Sequence, residues 1–209
     1  MTKKVIYATW LCMKLVLATQ NRDKIREIKK EFSNLSLEII SLEDLTNFPS
    51  IIEDGKTLRE NALKKARIVA EKIGTWALGD DTGLIVAALG EKPGIFSARF
   101  AGPKATYKEN CEKLLQVMKE IPQEKRRAYF STILALVHPD GREVVLEGKL
   151  EGTILGRMRG SGGFGYDPLF YVPRLGKTLA EISLEEKNII SHRGQALRKM
   201  KVVVENICR

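Results

Sequence analysis

Two adjacent aspartates, Asp80 and Asp81, interrupt the most interior-looking stretch of the chain. Trp76-Ala77-Leu78 precedes them and Leu84-Ile85-Val86-Ala87-Ala88-Leu89 follows. Each run is short, apolar and bounded by glycine, the pattern of a buried strand. Neighbouring negative charges placed there repel each other and lose hydration, so something positive must compensate them. A hard divalent cation with oxygen ligands meets that need, and Mg²⁺ fits when a phosphate completes its shell. The competing reading is an Asp-Asp-Thr-Gly turn between two strands, with both carboxylates in water. On this stretch alone the two readings stand level.

The 209 residues suffice for one sizeable core or two small lobes. A hydrophobic fraction of 44% and a charged fraction of 29% are those of a soluble globular protein. No apolar run approaches the ~20 residues needed to span a bilayer, so no membrane partner is expected. The formal charge of +9 suits either nucleic acid or a small polyanion such as a nucleoside triphosphate. Basic residues are scattered among 26 acidic ones and aromatics make up only 7%, which argues against a dedicated nucleic-acid surface. Cys12, Cys111 and Cys208 lie far apart without metal-ligand spacing. Free thiols in a reducing cytoplasm are expected.

Along the chain, Lys3-Lys4 and the apolar residues up to Cys12 faintly resemble a signal peptide, but no small-residue cleavage site follows. A dispensable extension over 1–13 and a single domain over 14–209 are the expectation. Leu15-Val16-Leu17-Ala18 reads as a buried strand, followed by the polar loop Thr19-Gln20-Asn21-Arg22-Asp23-Lys24 and a helix with apolar Ile25, Ile28 and Phe32. Amides at a helix N-terminus point at an anion. Thr19 and Asn21 add hydrogen bonds, and Lys24 reaches a phosphate. Plain capping by Asn21, with an exposed lysine, explains the same residues. Leu37-Glu38-Ile39-Ile40 is a second strand, and 43–56 reads as a loop with a turn at Glu53-Asp54-Gly55. Thr57 and Glu60 have capping-box spacing at the start of a helix whose core face is Leu58, Ala62, Ala66, Val69 and Ile73. Asn61 and Lys65 share another face. Glu53 and Lys65 are available to a site, or simply solvated.

The loop Gly90 to Gly102 sets a buried-looking pair, Phe96 and Phe100, around Arg99, which suits a phosphate or a carboxylate, or is a structural loop pinned by its aromatics. Thr106 and Glu109 open another helix, and Arg127–Val137 with Glu143–Leu150 reads as a long hairpin. His138, beside Pro139 in its turn, is expected to be exposed and uninvolved. Gly160, Gly162 and Gly165 fit G-x-G-x-x-G, but no βαβ unit surrounds them and Asp167-Pro168 stands where a helix should continue. Instead Gly165 lets the backbone approach a ligand, Phe164 and Tyr166 offer faces to a base, and Asp167 accepts hydrogen bonds. Stacking on such a face is worth about 1–3 kcal/mol per base. Ser183 and Glu186 form a further capping box, and Ser191 caps the last helix, with stripe Leu197, Met200, Val204 and Ile207. Lys187, His192 and Arg193 thereby cluster at a helix N-terminus, a donor-rich corner for a purine edge. A satisfied capping histidine is a fair competitor for His192.

Four segments together resemble the inosine/xanthosine triphosphate pyrophosphatases. They are Leu17-Ala18-Thr19-Gln20-Asn21 with Lys24; Asp80-Asp81-Thr82-Gly83-Leu84 with Pro93-Gly94 and Ser97-Ala98-Arg99; Gly162 to Pro168; and Glu186-Lys187-Asn188 with Ser191-His192-Arg193-Gly194. The resemblance runs from about Lys14 to about Met200. It implies an α/β fold with a long central mixed sheet flanked by helices, two lobes and a central cleft, as a homodimer. It implies Mg²⁺-dependent hydrolysis of deaminated purine nucleoside triphosphates (ITP, dITP, XTP) to the monophosphate and pyrophosphate. By position, Thr19, Gln20, Asn21, Arg22, Asp23 and Lys24 bind the triphosphate, and Glu53 and Asp81 hold Mg²⁺. Asp81 is the general base and Lys65 neutralises phosphate. Thr82, Phe164, Gly165, Tyr166, Asp167, Lys187, His192 and Arg193 contact the nucleotide. Asp23 departs from the family's usual small residue, and Thr82 from its commoner serine. A basic, non-enzymatic nucleotide- or nucleic-acid-binding protein is the alternative of another class. A related pyrophosphatase of the septum-formation type is the alternative among enzymes.

Overall fold

The computed structural model describes residues 13–208. The extension expected over 1–13 thus lies outside them but for Met13, which opens the first strand. The strands are β1 (Met13–Leu17), β2 (Leu37–Ser41), β3 (Trp76–Val86), β4 (Pro93–Gly94), β5 (Arg127–Val137), β6 (Glu143–Ile154), β7 (Phe170–Val172) and β8 (Lys177–Thr178). The helices are α1 (Arg22–Glu31), α2 (Leu58–Ile73), α3 (Tyr107–Val117), α4 (Leu184–Ile190) and α5 (His192–Ile207). One mixed sheet runs β2-β1-β3-β5-β6-β7-β8, with β4 paired to β3. Its β2-β1-β3 part is parallel and the rest antiparallel.

Alternation along β3 explains how the sheet is covered, because successive side chains point to opposite faces. Trp76 and Leu78 pack with Ile25 and Ile28 of α1 and Leu197 and Met200 of α5. Ala77 faces the other way, into Ala62, Ala66 and Val69 of α2. Gly79 shares that second face, and a Cβ there would meet the Ala62 carbonyl at 2.1 Å, so its bare backbone lets α2 sit directly on the strand. Farther along, Leu84 and Val86 enter a separate cluster with Leu114 and Met118 of α3 and Phe130 and Phe170. The long strands therefore carry two lobes, one built with α1, α2 and α5 and one with α3.

Four local expectations are corrected. The two apolar runs around Asp80 and Asp81 are one continuous strand of 11 residues, not two strands joined by a turn. Glu60 caps the amide of Lys56 rather than that of Thr57, so Thr57 caps α2 without a reciprocal box. Phe96 is 51% exposed, with Arg99 stacked on its ring. His138 is half-buried against the Trp76 ring at 4.8 Å and pairs with Asp140.

Candidate active site

Asp80 and Asp81 are both buried, and strand alternation sends them to opposite faces. Asp80 turns toward α1 and α5. Arg193 Nε donates to its Oδ2 at 2.7 Å, and Lys24 Nζ lies 2.5 Å from its Oδ1. Burial opposes the Asp80 charge, but Arg193 and then Lys24 hold its carboxyl far below the usual range. The competing reading of two solvated carboxylates is therefore excluded, and Asp80 is an internal counter-ion.

Asp81 turns toward α2. Lys65 Nζ donates to Asp81 Oδ1 at 2.8 Å and to the Asp80 carbonyl at 2.7 Å, and lies 3.3 Å from Glu53 Oε1. Burial pushes the Asp81 carboxyl up to about 6; Lys65 and Lys24 pull it back while Glu53 adds to the rise. At Glu53 burial also opposes the charge, but Lys65 and a hydrogen bond with Asp81 bring it below the ordinary value. Of the two adjoining carboxyls, Asp81 therefore binds a proton more tightly than Glu53. Lys65 stays charged: burial works against it, and Asp81 and Glu53 more than compensate.

Glu53 sits in a segment without regular structure and is held from three sides. Lys65 takes its carboxylate, and Arg99 Nη2 donates to its carbonyl at 3.3 Å. Two residues on, the Gly55 amide donates to Oδ1 of the wholly buried Asn61 at 2.8 Å. Asn61 and Lys65 are one turn apart on α2, so a single helix face fixes both ends of the Glu53 segment.

At the head of α1, Asn21 Oδ1 accepts from the amides of Asp23 and Lys24. The capping reading of this loop is correct, and the expectation of an exposed lysine beside it is not. Lys24 is drawn into the cleft, where burial lowers its pKa against the pull of Asp80. Arg22 turns outward to Glu43, and the Asp23 carboxylate pairs with Arg26.

At the other end, Asp167 Oδ2 accepts from Lys187 Nζ at 2.5 Å and from the Phe164 amide at 2.8 Å. Burial raises the Asp167 carboxyl, and Lys187 opposes the rise. Lys187 Nζ also lies 4.2 Å from the centre of the Phe164 ring. His192 is buried and stacked on Phe130 at 4.5 Å. Burial first, then Arg193 and Lys187, hold it well below its ordinary pKa, so it is neutral. Its Nδ1 has no protein partner among the described residues. The satisfied-histidine reading therefore fails.

These groups line one cleft of about 380 Å³. Thr19, Gln20, Asn21, Lys24, Glu53, Lys65, Asp81, Thr82, Phe164, Tyr166, Asp167, Lys187, His192 and Arg193 all border it, whereas Arg22, Asp23 and Gly165 do not. Gly165 instead offers its carbonyl to the Cys111 thiol.

The sequence pattern of the Ham1 family matches residues 15–203. The chain belongs to the Ham1 family. A dITP/XTP pyrophosphatase of Thermoanaerobacter sp. (strain X514) is 52% identical over 90% of this chain and 95% of that protein. A dITP/XTP pyrophosphatase of Thermus thermophilus is 50% identical over 90% of each. Among solved structures, a HAM1 protein from Coxiella burnetii superposes with a TM-score of 0.86 at 40% identity, covering 93% of this chain and 99% of that one. The Staphylococcus aureus Ham1 protein superposes at 0.83 with 37% identity, covering 92% and 98%.

One functional group of this Ham1 chain escapes the sequence reading. Glu27 of α1 is buried, accepts from Arg193 Nη1 at 2.8 Å and lies 3.3 Å from Lys187 Nζ. It ties both Lys187 and Arg193 to the helix that begins at the polar loop. Its spacing of three from Lys24 puts it on the cleft side of α1, a signal that the apolar stripe of Ile25 and Ile28 masks. Hydrogen bonding leaves Lys187 and Arg193 with few spare donors among the described residues: one N–H on Arg193 Nη1 and two on Lys187 Nζ, whose approach to Glu27 is an ion pair without a hydrogen bond.

Proposed function

We propose that this Ham1 chain hydrolyses deaminated purine nucleoside triphosphates (ITP, dITP and XTP) to the monophosphate and pyrophosphate, keeping them out of DNA and RNA. The observation that carries the reading is the division of the cleft. Lysines and paired carboxylates occupy one end, and an aromatic ring with buried donors and acceptors occupies the other. A purely basic binding surface does not need Asp81 and Glu53, which repel phosphate, so the non-enzymatic alternative is disfavoured. The relatives' names favour this activity over a septum-formation type of pyrophosphatase.

The donor set fits Mg²⁺. Asp81 and Glu53 converge on Lys65, one cation against two carboxyls, and Mg²⁺ is commonly held by one or two carboxylates plus substrate phosphate oxygens. Among the described residues no larger group of His, Cys, Asp or Glu converges. When bound, Mg²⁺ neutralises phosphate charge as a Lewis acid. Lys65 and Lys24 add fixed positive charge along the triphosphate, which carries about four negative charges at neutral pH. Asp81, once deprotonated, orients a water and takes its proton as the water attacks the α-phosphorus. Pyrophosphate then leaves with its charge screened.

At the other end Phe164 supplies the stacking face. Hypoxanthine and xanthine present an acceptor at the 6-position, where adenine presents a donor. The remaining N–H groups of Arg193 and Lys187 match the acceptor, and His192 borders the same end of the cleft. An amino group there leaves buried donors unpaired, and such mismatches reach ~10⁴-fold.

Glu147, Lys149 and Glu151 form an exposed face of β6. Lys149 pairs with Glu151 there, and this exposed face is the surface we assign to the homodimer that the family resemblance implies. A cytoplasmic location suits the nucleotide pool it would act on, and no helix among the described residues is long and apolar enough to cross a membrane.

Assay of the products from ITP, with Mg²⁺ and then with EDTA, tests the reaction. Metal-dependent release of pyrophosphate is the expected result. Orthophosphate would move cleavage to the β–γ bond and overturn the mechanism.

A further inference from the structure

Resting on the nucleotide reading of the cleft, we propose that Tyr107 is a ligand-contacting residue that forms the wall beside the pentose. Tyr107 opens α3, on the lobe opposite α1. It borders the cleft yet is 43% exposed, so it stands at the mouth. Its hydroxyl accepts from Asn21 Nδ2 at 3.1 Å and donates to Asp23 Oδ2 at 3.3 Å. Its ring lies 5.8 Å from the Phe164 ring with planes at 41°, the spacing of an attractive aromatic pair.

One side chain therefore touches the loop assigned to the phosphates and the ring assigned to the base. In a nucleotide the group joining those two ends is the pentose, whose C–H surface packs on an aromatic face. Two hydrogen bonds fix the ring before any ligand arrives, which reduces the ordering cost of binding. The same bonds explain why Asp23 is harmless near a polyanion: its carboxylate is turned to Tyr107 and Arg26, and it does not border the cleft. Partial burial raises the phenol's pKa, so it remains a donor at neutral pH.

Calorimetric binding of inosine monophosphate and of inorganic tripolyphosphate, with KM and kcat for ITP, tests the assignment in Tyr107→Ala and Tyr107→Phe. In Tyr107→Ala, the affinity for inosine monophosphate is expected to fall roughly tenfold and the KM for ITP to rise similarly. Its kcat and its tripolyphosphate affinity should stay within about twofold. Tyr107→Phe keeps the ring but frees it, and should lose only about two- to threefold. Unchanged affinity of Tyr107→Ala for inosine monophosphate overturns the proposal. Equal losses in both variants, with tripolyphosphate weakened alongside, also overturn it, because Tyr107 would then act only by bracing Asn21. A folded wild-type chain that neither binds inosine monophosphate nor hydrolyses ITP overturns the nucleotide reading itself.

Discussion

Asp80 and Asp81 are neighbours in the chain and face opposite sides of the same strand. Asp80 is neutralised at 2.7 Å by Arg193, while Asp81 meets Lys65 at 2.8 Å beside a second carboxylate. Their replacements should therefore fail differently. Asp81→Asn keeps shape and volume and should lower kcat by about 10²–10⁴-fold with little loss of thermal stability. Asp80→Asn leaves buried Arg193 under-compensated, at a cost of about 3–5 kcal/mol and a melting midpoint lower by about 10 °C. Calorimetric melting and turnover on both variants separate the two roles. An Asp81→Asn enzyme with wild-type turnover would remove Asp81 as the base.

The pH profile follows from the same pair. Asp81 has its affinity for protons raised to about 6 in the folded chain. Below that pH it is protonated and can neither accept a proton from water nor help hold a cation. The kcat/KM for ITP should therefore climb with pH through about 6 at low Mg²⁺. Because metal and proton compete for the carboxylate, the midpoint should move lower as Mg²⁺ is raised. The stability of the metal-free chain should run the other way. A carboxyl that binds its proton more tightly when folded contributes most below the unfolded value of ~3.9 and loses that contribution as pH rises through about 6.

Asn61 does not border the cleft and holds the Gly55 amide two residues from Glu53, which assigns it to positioning Glu53. Asn61→Ala should raise the Mg²⁺ concentration needed for half-maximal rate by about tenfold, with kcat at saturating Mg²⁺ recovering most of its value. Mn²⁺ binding followed by electron paramagnetic resonance gives a readout independent of turnover. Unaltered metal affinity would detach Asn61 from the site.

Gly148 lies on β6 where a Cβ would come within 1.9 Å of the His192 carbonyl and 2.7 Å of the Ala196 amide. Backbone cannot yield as a flexible side chain does. Gly148→Ala should destabilise the chain by about 1–3 kcal/mol and shift the start of α5. Arg193 and His192 move with it, so base selectivity should drop along with the melting midpoint. Normal selectivity in a destabilised variant would limit Gly148 to packing.

The fold was largely legible because alternating and helical periodicities mark most of its elements, from the β5–β6 hairpin to the Leu197, Met200 and Val204 stripe of α5. The polar interior was not. Asp80 and Asp81 read as one pair of charges in need of one compensating cation, since sequence adjacency hides the fact that strand neighbours face apart. Glu27 carries no local signal because its partners lie on α4 and α5, far along the chain. Tyr107 and Asn61 looked like ordinary helix residues, since their meaning comes from Asn21, Phe164 and Gly55 across the cleft. Arg22 stands in the polar loop's sequence, yet the first turn of α1 points it outward to Glu43.

Base selectivity tests the central claim most directly. The kcat/KM should be measured for ITP, XTP, GTP and ATP under one saturating Mg²⁺ concentration, with pyrophosphate as the product followed. We expect ITP and XTP to exceed ATP by about 10³–10⁴-fold, with GTP also disfavoured. Comparable values for ATP and ITP would contradict a base corner built to match a 6-keto acceptor.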